Sequence, residues 1–332
     1  MSTVSRDDGR GAPEAPHTMR AVRGHRRGGP DRLFYDVAPR PVPGDGEVLV
    51  AVRSAAITAG ELDWDATWTD AFDGSGASRL PIVPAKELSG IVVAKGPGDT
   101  EGLETGDEVF GLIPFTRDGA AAQFTAVPAA VLAAKRAALD HDHAAALALP
   151  GLTAWQGLVR HGGLGPGHPG RRVLVHGGAG GVGSVAVQIA VALGARVVAT
   201  ARAADAEFVR DLGAETVIDY SAERFEERAG EVDVVFDTVG GETQERSWQV
   251  LADGGVLVSV AAPPTDERRG GVRAVFFVVE PDREGLRELS RLVDQGRLRP
   301  DVDRVLPLSD TARAYTDLER DHHRGKVVLR VS

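Results

Sequence analysis

The stretch 171–195, RRVLVHGGAGGVGSVAVQIAVALGA, constrains this chain more than any other. An unbroken apolar run, expected as a strand over 172–176, passes through a glycine cluster into a small-residue helix expected over 183–193. Gly178, Gly180 and Gly183 satisfy the spacing G-x-G-x-x-G. In a chain with 41 glycines that spacing also arises by chance, so the strand before it and the breaker-free helix after it carry the argument. One glycine makes a tight turn, one lets backbone approach a pyrophosphate, and one permits close packing of helix on strand. The unpaired N–H groups and positive dipole end of the helix suit a phosphate. The competing reading is a glycine-rich structural turn in a sheet that binds nothing.

The end of the next strand, expected over 196–200, selects the nucleotide. An NAD site usually places Asp or Glu there to bind the ribose 2′-hydroxyl. Here the strand ends Ala199-Thr200-Ala201-Arg202, and the first carboxylate is Asp205. The guanidinium of Arg202 suits a 2′-phosphate, so the expected cofactor is NADPH. Arg202 as a solvated surface residue is the plain alternative.

The rest of the chain falls into two patterns. Short strands with glycine turns, expected at 48–52, 91–94 and 108–113, suggest a small β-rich unit. From about residue 140 strand and helix alternate, as in a doubly wound parallel sheet. Asp140 can cap a helix over 144–149; Pro150-Gly151 is expected to break it before a second helix over 152–160. Further strands are expected at 216–218, 232–237, 255–261, 272–279, 303–308 and 326–331, with helices at 204–212, 282–295 and 311–320. The segment 272–279 (VRAVFFVV), which opens on Val272 and closes on Val279, is apolar on both faces. As a sheet edge it would need covering, which predicts a homodimer through this strand.

Composition excludes several functions. The formal net charge of -10 disfavours a nucleic-acid footprint, and no apolar run is long enough for a membrane helix. The chain has no cysteine, which removes disulfides, thiolate metal sites and thiol nucleophiles and fits a cytoplasmic location. Residues 1–18 lack the apolar core of a secretory signal and are expected to form a disordered tail.

The opening MRAVRGHRRGGPDRLFYDVAPRPVPGDGEVLVAV resembles the N-terminus of zinc-independent quinone oxidoreductases of the medium-chain dehydrogenase/reductase superfamily. PGLTAWQGL, HGGAGGVGSVAVQIA, VIDY, FDTVGGET and RGKVVLRV follow in the same order. The resemblance implies an α/β fold, with a Rossmann doubly wound parallel sheet over 146–282 and a GroES-like β-rich catalytic domain formed from 19–145 and 283–332. It implies a substrate cleft between them. It also implies that Gly180, Gly181, Val182 and Gly183 line the pyrophosphate, that Arg202 and Tyr220 bound the 2′-phosphate, and that Asp237, Thr238 and Val239 pass along the cofactor. Val260 and Ala261 would flank the nicotinamide, and Lys326 would reach back toward it. Tyr220, Asp237 and Lys326 each also admit a purely structural role.

Zinc-dependent relatives carry a cysteine after an early strand and then a Gly-His-Glu segment. Here the first region reads Ala55-Ala56-Ile57-Thr58-Ala59-Gly60-Glu61 and the second Ala85-Lys86-Glu87. Only Glu87 matches, so no metal is expected. His141 with His143, and His322 with His323, diverge rather than converge on an ion. Without a Lewis acid, hydride transfer suits substrates that delocalise charge themselves, such as quinones and α,β-unsaturated carbonyls. Family position puts Lys86 on the cleft wall, where it could donate to a developing enolate; a structural pair with Glu87 or Glu61 is the alternative. Thr58 and Glu61 are further candidates for proton chemistry. Trp64 and Trp68 stand where the family lines its substrate pocket, or else they pack the core. The expected function is therefore reduction of a quinone or enone by NADPH. A specialised polyketide-type enoyl or keto reductase and a non-catalytic NADPH-binding sensor or structural protein are the alternatives.

Overall fold

The computed structural model describes residues 17–71, 75–165, 167, 169–264 and 271–331. Strands β1 (Thr18–Gly24) and β2 (Leu33–Pro39) form an antiparallel hairpin. Thr18 already belongs to a strand, and residues 1–16 of the expected tail lie outside the described residues. Strands β3 (Glu47–Ile57), β4 (Glu87–Lys95), β5 (Glu108–Leu112), β6 (Phe124–Pro128) and β7 (Leu132–Ala134) build most of a second sheet. The helical turn α1 (Asp65–Trp68) lies between β3 and β4 in sequence.

Helix α2 (His141–Trp155) follows, capped by Asp140 as expected. The expected break at Pro150-Gly151 does not occur: α2 runs through both residues into a π-helical turn, Gln156–His161. A proline inside a helix costs about 3 kcal/mol. Here the helix is buried on almost every side, between the helix over Gly181–Ala192 and the strands β3 and β4, and tertiary packing outweighs that cost. Its alanines at 144–146 and 148 let backbones approach closely.

The middle of the chain winds the parallel sheet. Strands β8 (Arg172–Val175), β9 (Arg196–Ala201), β10 (Thr216–Asp219), β11 (Val232–Asp237), β12 (Leu251–Ser259) and β13 (Arg273–Phe276) stand in the order β10-β9-β8-β11-β12-β13. Helices α3 (Gly181–Ala192), α4 (Ala206–Asp211), α5 (Phe225–Arg228) and α6 (Gly241–Ser247) connect them. Alternation along each strand feeds two cores. Val173 and Val175 face α2 and α3, whereas Leu174 faces Phe225 and Trp248 on the far side. Strand β13 is an edge, as expected, but it spans only four residues. Residues 277–279 leave the sheet and line the cleft described below.

The chain then returns to the first region. Helix α7 (Arg283–Asp294) packs on α2 and β7. Strand β14 (Val302–Pro307), helix α8 (Thr311–Arg320) and strand β15 (Lys326–Arg330) complete the seven-stranded sheet, with β15 pairing antiparallel to β3. The sheet thus joins residues from both ends of the sequence around the parallel one.

Candidate active site

A cleft of about 850 Å3 lies where the glycine-rich turn meets the ends of β3 and β15. The turn is built by four glycines. Gly177, which the spacing did not single out, carries the positive φ of +70° and makes the sharp reversal. A side chain at Gly178 would sit 2.9 Å from the Ala199 Cβ, and one at Gly183 would fall on the Gly177 carbonyl. Both glycines therefore serve close packing of helix on strand. Gly180 caps α3, and a Cβ there would meet only the Gly177 oxygen, at 3.4 Å. That side remains open to a ligand, and the N-terminus of α3 opens into the cleft through Gly181 and Val182. These features fit a dinucleotide pyrophosphate.

Thr238, Val260 and Ala261, from the ends of β11 and β12, line the same cleft. Asp237 does not. It is fully buried and accepts from Val239 N at 3.0 Å, Gly240 N at 2.9 Å, Ser259 Oγ at 2.9 Å and Gln244 Nε2 at 3.1 Å. Its carboxylate ties together the two loops that carry Thr238 and Ala261, which is a positioning task. Val239 is outside the lining and 53% exposed. Arg202 and Tyr220 lie beyond this cleft lining, at the ends of β9 and β10. The Tyr220 N–H donates to Ala201 O at 3.2 Å, which brings the two strand ends together. The Arg202 guanidinium has no ion-pair or hydrogen-bond partner among the described residues, so it is free to meet an anion.

Lys326 enters the cleft from the start of β15. The Gly325 N–H donates to Ala179 O at 3.2 Å, pinning this segment to the glycine turn. The Lys326 Nζ stands 2.5 Å from Glu87 Oε1 and donates to Thr58 Oγ1 at 2.8 Å. The Thr58 hydroxyl donates in turn to Glu87 Oε1 at 3.1 Å, and Leu149 N–H in α2 donates to Glu87 Oε2 at 3.2 Å. Burial pushes the Glu87 carboxyl up, and the neighbouring Lys326 ammonium opposes this. The Lys326 ammonium and the Thr58 hydroxyl thus share one end of the cleft, with the buried Glu87 carboxylate behind them.

Three expected residues lie elsewhere. Lys86 is buried inside the β-rich unit, outside the cleft lining, and its ammonium donates to Arg117 O. Burial lowers its pKa to about 8, against the attraction of Glu61. Glu61 is equally buried. It accepts from Ala85 N at 2.8 Å and Tyr315 Oη at 2.7 Å, and burial raises its pKa. Glu87 opens β4 and Lys86 stands just before it, and the two side chains have different surroundings: Glu87 meets Lys326 and Thr58, whereas Lys86 meets Arg117 O. Trp68 is 1% exposed, with its indole N–H donating to Leu62 O at 2.7 Å. It packs the β-rich core against Ile82. Trp64 does line the cleft and meets Phe115 edge to face, with ring centroids 5.7 Å apart. Phe115, Thr153 and Phe277 were not expected there. Phe115 and Phe277 come from loops, where no periodicity marks a facing residue.

The donor set does not fit a catalytic zinc. The chain has no cysteine to offer, Lys86 rather than a histidine precedes Glu87, and a lysine ammonium already pairs with Glu87. No group of three or more His, Asp or Glu converges on a common point among the described residues.

Comparison with known proteins agrees with this architecture. Residues 44–137 match the alcohol dehydrogenase GroES-like domain and residues 212–329 the zinc-binding dehydrogenase family. The chain is 33% identical over 317 residues to the "Probable zinc-binding oxidoreductase, mitochondrial" of Arthroderma benhamiae, spanning 90% of this chain and 93% of that one. It is 36% identical over 295 residues to the "NADPH-dependent alkenal/one oxidoreductase, chloroplastic" of Arabidopsis thaliana, over 86% of this chain and 72% of the relative. The quinone oxidoreductase of Coxiella burnetii superposes with a TM-score of 0.84 at 29% identity, over 95% of this chain and 100% of that structure. The protein belongs to the medium-chain dehydrogenase/reductase superfamily, as a quinone oxidoreductase-like member. It is an NAD(P)-dependent oxidoreductase whose substrate is a small molecule.

Proposed function

We propose that the protein reduces a quinone or an α,β-unsaturated carbonyl with NADPH and without zinc. The observation that carries this reading is the Lys326–Thr58 pair, braced by the buried Glu87, at one end of a cleft that the glycine-rich turn and an aromatic wall share. When bound, NADPH supplies a hydride. The α3 N-terminus and Gly180 would hold its pyrophosphate, Arg202 its 2′-phosphate, and Val260 with Ala261 its reactive end. Trp64 and Phe115 offer flat apolar surface to a conjugated substrate. Lys326 presents its remaining N–H donor where negative charge develops on the substrate oxygen, in the manner of an oxyanion hole. Thr58, which accepts from Lys326 and donates to Glu87, and Glu87 itself hold that ammonium in place. The conjugated acceptor spreads the remaining charge itself, which makes a Lewis acid dispensable.

The test is NADPH oxidation across a panel of quinones, enones and simple ketones. Turnover of quinones or enones, with simple ketones inert, is the expected result. Tight NADPH binding with no turnover on any of them would point instead to a sensor or structural role.

We propose a homodimer through the edge of β13. Ala274 and Phe276 are exposed there, and a bare strand edge invites pairing with its two-fold mate. The native chain is expected to scatter light as a dimer at tens of micromolar, roughly where a Kd of ~1 μM leaves little monomer. Ala274→Asp should shift it toward monomer, and a native monomer would refute the proposal.

A further inference from the structure

Helix α8 ends at Arg320, and the next five residues cross from the seven-stranded sheet to the glycine-rich turn. This strap is held along its length. His323 bonds Asp303 Oδ2 at 3.0 Å through Nδ1 and Asp317 O at 3.0 Å through Nε2. The Arg324 guanidinium lies 4.6 Å from the centre of the Phe208 ring in α4. Gly325 is bonded to the turn itself. His322 lines the cleft, and its Nε2 stands 3.0 Å from Asp205 Oδ2. Asp205 belongs to the same tight turn as Arg202, since its N–H donates to Arg202 O at 2.9 Å.

Asp205 is the first carboxylate after β9. An uncompensated carboxylate beside Arg202 would repel a 2′-phosphate and would serve a bare ribose better. Resting on the NADPH reading above, we propose that His322 is a cofactor-specificity residue: it pairs with Asp205 from across the domain boundary and so makes the Arg202 turn hospitable to a 2′-phosphate. The Nδ1 of His322 has no partner among the described residues. In the imidazolium form it is a donor that a phosphate oxygen can accept from. Recognition of the 2′-phosphate is then shared between the parallel sheet, which supplies Arg202, and the strap of the other unit, which supplies His322.

Calorimetric titration with 2′,5′-ADP and 5′-AMP tests this without turnover. The native chain is expected to prefer 2′,5′-ADP. His322→Ala should weaken 2′,5′-ADP about tenfold, the loss of one charge-assisted bond, and leave 5′-AMP within about twofold. Adding Asp205→Asn to His322→Ala should restore much of the preference, because the exposed carboxylate is then gone. His322→Gln keeps a donor to Asp205 and guards against a folding defect; it should fall between native and alanine. An unchanged preference in both His322 variants overturns the inference while leaving NADPH selection by Arg202 standing. A native chain that binds both ligands equally overturns the NADPH reading and this inference with it.

Discussion

Two buried lysines of this protein face two buried glutamates, and they do opposite things. Lys86 and Glu87 are sequence neighbours where β4 begins, but Lys86 sits in the β-rich core near Glu61 while Glu87 meets Lys326. Both lysines are at least nine-tenths buried. Lys86 bonds a main-chain carbonyl and is outside the cleft lining; Lys326 lines the cleft beside the Thr58 hydroxyl and is backed by the buried Glu87 carboxylate. Burial of a charged pair is thus no mark of catalysis by itself. What separates the two is the presence of an open cavity beside one of them.

The contrast breaks most sharply at Lys326. Lys326→Met removes a donor at the developing charge and should lower kcat and kcat/KM together, by about 10²–10³. Steady-state kinetics on a reactive quinone measures this, and unchanged turnover would return Lys326 to a structural role.

Lys86→Met should do the reverse. Turnover of the folded enzyme stays normal, while Glu61 loses its compensating charge and stability falls by up to about 3–5 kcal/mol. Lys86 also leaves a signature in pH. Its folded pKa of about 8 lies below the ordinary lysine value of about 10.5, so over that interval the unfolded chain holds the extra proton. The contribution of Lys86 to stability therefore rises as pH climbs from about 8 to 10.5, by roughly 3 kcal/mol at most. Denaturant unfolding at both ends of that window should show the rise in the native chain beyond whatever remains in Lys86→Met. Loss of turnover in a fully folded Lys86→Met would reinstate it as a catalytic group.

Arg202 extends the comparison to a cation that is half-buried and has no partner among the described residues. Arg202→Glu should weaken NADPH binding by ~1.5–3 kcal/mol with little effect on NADH. Equal losses for both cofactors would show that the residue acts on the fold rather than on the 2′-phosphate. The tryptophans repeat the lesson on a smaller scale. Trp64→Ala should cost aromatic substrates about 0.5–1.5 kcal/mol of affinity, through lost edge and face contacts. An effect on melting alone would place Trp64 with Trp68 in the core.

The linear sequence determined the elements whose signals are local. Apolar periodicity, the glycine run and the caps place β8, α3, α8 and the NAD(P)-binding half within a few residues. The resemblance at both chain ends announces the shared β-rich sheet. Local signals failed where long-range packing decides. Pro150 reads as a breaker, yet α2 continues through it because the helix is enclosed between α3, α7 and the seven-stranded sheet. Lys86 reads as a cleft residue by position, but it lies one residue before β4 and its ammonium is bonded to the Arg117 carbonyl, which the fold brings in from a distant loop. Lys326 and His322 lie far along the chain from Glu87 and Asp205, and no spacing rule couples residues at such separation. Only closure of β15 against β3, with the strap laid on the glycine turn, brings these charges together. Buried opposite charges gain enough to hold such geometry only after that packing has excluded water.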